Sequence, residues 1–235
     1  MLSVSDLLKK TWTLYREHIQ ILTGLIAWLL IPHVLILLLE MISSPVVEVV
    51  IGILMLGNFF LNLWITTTVL LLLPKIIKKQ PYVLKELFTQ SLRILPSLLL
   101  VELLLMAVVL GGFILLLIPG LLFLVWFAFA QFAVLFENKR GIKALIASRE
   151  LTRKRFWSIA WRLFGGPALI FFFYLTLTAI LTILFSGMLT FTLENVPVWA
   201  DVISSILELF FVPFFLIYSF LLYQEAKDTA VISKK

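Results

Sequence analysis

All 19 lysines and arginines of this 235-residue chain fall in four short segments, 9–16, 75–93, 139–162 and 227–235, and long apolar runs fill the intervals. Each helical crossing of a bilayer needs about 20 mostly apolar residues, and six such stretches fit the intervals, at 19–39, 49–73, 97–117, 120–136, 167–187 and 202–223. Positive charge is retained on the cytoplasmic side of membrane proteins. The charge pattern therefore predicts an all-α, polytopic protein of the cell membrane, with six transmembrane helices and with both termini and both long basic loops in the cytoplasm.

Composition excludes most other classes. With 62% hydrophobic and 14% charged residues and a mean hydropathy of +1.12, the chain carries more apolar surface than a soluble domain buries. Spans and connectors use almost all of it, so a single integral membrane domain over 1–235 is expected, with no separate catalytic domain. The net charge of +6 borders the spans, where anionic lipid headgroups are the nearest partner, and a nucleic-acid partner is not expected. The absence of cysteine rules out disulfides and thiol chemistry. The amphipathic stretch before the first apolar run argues against a cleavable signal peptide.

The basic segments repeat one design. Residues 3–18 place Val4, Leu7, Leu8, Trp12, Tyr15 and Ile19 on one helical face, with Asp6, Lys9, Lys10 and Arg16 elsewhere, the spacing of a helix lying in the membrane surface. Ser3 and Asp6 suit a cap at its start. A second such helix is expected at 83–95, with Leu84, Leu87 and Phe88 on its apolar side, and a third at 141–164. Basic helix followed by apolar hairpin thus occurs three times. Pro74 is expected to end the second span, Pro119-Gly120 to turn the third into the fourth, and Gly165-Gly166-Pro167 to break the chain before the fifth. Pro213 is placed to kink the sixth span, and the tail from Gln224 is expected to be mobile. An outer loop would hold Glu194, Pro197, Trp199 and Asp201.

Two sets of residues are candidates for function. Lys75, Lys78, Lys79, Lys139, Arg140, Lys143, Arg149, Arg153, Lys154, Arg155 and Arg162 are candidates for lipid headgroups, each contributing about 1 kcal/mol near an anionic surface. The polar residues inside spans are His33, Asn58, Asn62, Glu102 and Gln131, and such groups are disfavoured in hydrocarbon. Glu102, about 9 Å inside the third span, could bind a cation or relay a proton, but with no second acidic residue at its depth it reads first as a neutral acid or one hydrogen-bonded to Gln131. Glu208 reads as an interfacial carboxylate. His18 and His33 lie at opposite ends of one span, so no metal site is expected, and phosphate-binding loops and catalytic motifs are missing. Trp12, Tyr15, Tyr82, Trp157, Trp161, Trp199 and Tyr223 suit the headgroup layer, and Trp28, Trp64 and Trp126 suit packing.

One resemblance adds to this. The order Pro119-Gly120, apolar span, Phe136-Glu137, Gly141, Ala144-Leu145, Ser148, Leu151, Phe156-Trp157, with Leu8-Lys9-Lys10-Thr11-Trp12 near the start, resembles the six-span prokaryotic membrane proteins related to the glycerophosphoryl diester phosphodiesterase membrane domain. Longer relatives join that region to a phosphodiesterase barrel. The resemblance implies a membrane module without the hydrolase, and so no catalytic residue and no cofactor. Residues and resemblance together favour a non-enzymatic module engaging anionic lipids, or a membrane or cytoplasmic protein partner. The alternatives are a small transporter of a lipid or amphiphilic solute, with Glu102, Asn62 and Gln131 facing a cavity, and, last, a lipid-modifying enzyme.

Overall fold

Backbone groups in a bilayer must be satisfied internally, which leaves helices as the means of crossing for a chain of this kind. The computed structural model describes residues 2–42, 44–186 and 198–232, and among them it contains helices and no strands. In chain order these are α1 (Val4–Glu17), α2 (Ile19–Ile26), a 3-10 turn (Ala27–Leu29), α3 (Leu30–Glu40), α4 (Pro45–Ile77), α5 (Leu84–Leu115), α6 (Leu117–Phe127), α7 (Ala130–Glu137), α8 (Ile142–Arg153), α9 (Phe156–Ser186) and α10 (Val198–Ile232). Among the described residues, six stretches are long and apolar enough to cross a membrane: Ile19–Glu40, Pro45–Ile77, Leu84–Leu115, Leu117–Glu137, Phe156–Leu184 and Asp201–Ala230.

The expected cap is present: the Asp6 amide donates to Ser3 Oγ at 3.1 Å, and the Ser3 hydroxyl donates to the Asp6 carboxylate at 2.6 Å. That bond holds the Asp6 carboxyl below the usual carboxylate range. Pro45 opens α4 in its first turn, where its missing amide costs nothing. Several expected breaks are absent. Helix α4 runs through Pro74 to Ile77. The second surface helix and the third span form one 32-residue helix through Pro96. Helix α9 runs unbroken through Gly165, Gly166 and Pro167, and α10 through Pro213 and on to Ile232, where a mobile tail was expected. The third basic segment divides instead at Lys154-Arg155, so that α8 covers only Ile142–Arg153. The turn between the third and fourth spans falls at Leu116, in extended conformation, and Pro119-Gly120 lies inside α6. The fourth span itself breaks at Ala128-Phe129. Glu194 and Pro197 lie outside the described residues.

The three amphipathic helices differ from expectation in where their apolar faces go. Leu7, Thr11 and Tyr15 of α1 are buried, and the Tyr15 ring meets Phe214 of α10 edge-on, centroids 5.8 Å apart. Leu87 and Ser91 in the first turns of α5 are buried. There Ser91 and Thr68 share a hydroxyl hydrogen bond of 2.8 Å, and the Trp64 indole donates to the Phe88 carbonyl at 3.1 Å. Ala144, Leu145, Ser148 and Thr152 of α8 are buried, with Ala144 and Leu145 in one apolar cluster with Leu98, Val101, Ala130, Ala133 and Val134. These buried positions pack on protein, and each face carries a small hydroxyl or alanine that lets helices approach closely.

Candidate functional site

The basic ends of the helices are tied together by hydrogen bonds that consume some of their charge. Arg162 Nε donates to the Leu2 carbonyl at 2.6 Å, and the Leu2 amide donates to Glu225 at 2.9 Å, so α1, α9 and α10 meet at one corner. Arg155 donates to the carbonyls of Ala226 and Thr229 in the last turns of α10. Glu137, closing α7, accepts from the Tyr223 hydroxyl at 2.9 Å and pairs with Lys227 at 3.2 Å and Lys139 at 3.3 Å. Arg149 lies over the Trp126 ring, 4.8 Å from its centroid.

Of the eleven headgroup candidates, Lys139, Arg155 and Arg162 take part in these bonds within the fold. Lys78, Lys79, Arg140, Lys143, Arg153 and Lys154 are exposed. Lys75 and Lys79 also line a 460 Å³ concavity with Glu17, His18, Gln80 and Tyr82, between the end of α1 and the end of α4. Lys79 adopts a left-handed backbone (φ 50°), and the Gln80 amide donates to the Lys75 carbonyl at 2.9 Å. Trp12, Trp157 and Trp161 are exposed at 55%, 83% and 71%, consistent with rings that face lipid. Trp28, expected in the packing, is exposed at 58% on the outside of the bundle.

The polar groups within the spans divide into two sets. His33 of α3 and Asn58 and Asn62 of α4 line one small cavity of about 70 Å³, together with Ser205 and Glu208 of α10. Glu208 is thus part of a polar cluster, not an isolated interfacial carboxylate. His33 Nε2 and Asn58 Oδ1 are buried there without a hydrogen-bond partner. Glu102 and Gln131 do not join this cluster, and among the described residues no hydrogen bond links them to each other. Leu98 and Val101, beside Glu102 on α5, are buried in the α8 contact.

Sequence reasoning missed Glu137, Tyr218, Glu225 and Lys227. A signal was available for Glu137 and Lys227, charged residues at the ends of apolar spans, where ion pairs join helix termini cheaply. No protein-family model, curated protein or solved structure matches this chain.

Proposed function

We propose that the chain is a non-enzymatic membrane module of the cell membrane, with its termini cytoplasmic, whose basic face engages the headgroups of anionic lipids. The observation that carries this reading is that Lys78, Lys79, Arg140, Lys143, Arg149, Arg153 and Lys154 are exposed while their neighbours Lys139, Arg155 and Arg162 are used to fix the helix ends. The face is held in place by structure and left charged. The concavity with Lys75 and Lys79 supplies a recess where a phosphate can meet two ammonium groups. Kinship with the six-span membrane domain described above belongs to the same proposal, resting on the order of motifs from Pro119 to Trp157.

Thermal unfolding in nanodiscs tests it. The parent protein should melt higher in discs containing phosphatidylglycerol than in phosphatidylcholine alone, since each exposed cation contributes about 1 kcal/mol near an anionic surface. Replacement of Lys78, Lys79, Arg140, Lys143, Arg153 and Lys154 by glutamine should shrink the difference while leaving the melting point in phosphatidylcholine unchanged. A difference unaltered by these six substitutions would refute the reading.

A further inference from the structure

The cluster in the half of the bundle away from the basic face holds polar atoms without partners. Asn58 Oδ1 is buried without a donor, and the Glu208 carboxylate lines the same cavity. Buried polar groups are nearly always hydrogen-bonded, and an uncompensated carboxylate is costly in an apolar setting. The chain has no Lys or Arg between Arg16 and Lys75 or between Arg162 and Lys227, and His33 Nε2, buried without a partner, offers a further acceptor. The missing complement is a donor or a cation from outside the chain.

A second feature adjoins the first. Glu208 and Val212, one turn apart on α10, line both the polar cavity and a 730 Å³ groove running between α9 and α10. Besides Glu208 and the Tyr174 ring, that groove is apolar, with Leu163, Pro167, Phe211 and Phe215 along it. Its volume lies in the range of small-molecule sites, about 300–1,000 Å³. The polar cavity, at about 70 Å³, admits only a small group such as an ammonium or a few waters.

We propose that Glu208, Asn58 and His33 bind the protonated primary amine of a single-chain amphiphile whose apolar tail lies in the groove between α9 and α10. The three N–H bonds of an ammonium match the carboxylate and amide acceptors. The tail reaches the groove laterally from the bilayer, because Phe164, Phe171 and Phe215 along this side are exposed.

The test is photolabelling of the full-length protein in nanodiscs with a diazirine-bearing dodecylamine, alongside a dodecanol carrying the same diazirine. Labelled peptides from α9 and α10 are quantified, and the ratio of amine to alcohol labelling is read, so that general loss of structure, which lowers both, does not imitate the effect. The parent should favour the amine, Glu208→Gln should lower the ratio about tenfold, and Glu208→Asp should retain it. Ala168→Trp, which fills the groove and leaves the polar cavity intact, should lower labelling of α10 by both probes. A parent ratio near one, or a ratio unchanged by Glu208→Gln, would overturn the proposal. Either result leaves the anionic-lipid reading standing, since no residue of the basic face takes part.

Discussion

Gly166 lies directly against the ring of Tyr218, whose hydroxyl donates to the Arg162 carbonyl at 2.7 Å across it. A Cβ on Gly166 would overlap that ring, whereas one on Gly165 would meet only Val4 and Trp161 at 3.8 and 3.9 Å. The adjacent glycines, alike in sequence, are therefore predicted to behave oppositely. Gly166→Ala should destabilise by about 1–3 kcal/mol through overpacking, and Gly165→Ala should be neutral or stabilising by up to about 1 kcal/mol, because alanine is the better helix residue. Unfolding in mild detergent distinguishes them. A parallel contrast holds among the arginines. Arg153→Gln should leave unfolding unaltered, while Arg155→Gln should loosen the end of α10, read as faster amide exchange from Ala226 onward; equal exchange in both variants would show that the Arg155 bonds contribute nothing.

Among the helices, what punctuates a soluble chain does not punctuate this one. Pro74, Pro96, Pro167 and Pro213 all sit inside helices, because in hydrocarbon an interrupted helix leaves backbone groups with no water to satisfy them. Expectations built on Pro74, Pro96 and Pro167 placed boundaries wrongly, while the apolar runs located all six spans. The actual break at Ala128-Phe129 carries no local signal, since its partner comes from elsewhere. Ser148 of α8 accepts from the Phe129 amide at 3.0 Å and donates to the Trp126 carbonyl at 2.8 Å, and Thr152 reaches the same carbonyl at 3.2 Å. The amphipathic segment supplies from outside the span the bonds that the span lacks within. Ser148→Ala is predicted to cost about 1–3 kcal/mol, the penalty for a buried backbone group left unpaired, and to raise amide exchange at Phe129; unchanged stability and exchange would mean the break is satisfied in some other way. The polar cavity was half legible: His33, Asn58 and Asn62 stand out as polar residues in apolar runs, but which spans adjoin is set by tertiary packing, so the convergence of Glu208 with them was not.

Across the whole molecule, the three repeats of basic helix and hairpin bring their charge to one end because α1, α7, α9 and α10 are bonded there through Leu2, Glu137, Arg155, Arg162, Glu225 and Lys227. Parts of the apolar faces that suggested helices lying in the membrane surface serve as packing faces, while cations and tryptophans beside them stay exposed. Everything proposed for the basic face requires that it lie on one side of the membrane, with the loop after α3 and the start of α10 on the other. The chain contains no cysteine, so single cysteines report sidedness without further engineering. Lys9→Cys, Lys78→Cys and Lys154→Cys should react with an impermeant maleimide only in inside-out vesicles, and Met41→Cys and Asp201→Cys only in right-side-out vesicles. Reaction of any of the three basic-face positions in right-side-out vesicles would contradict the account.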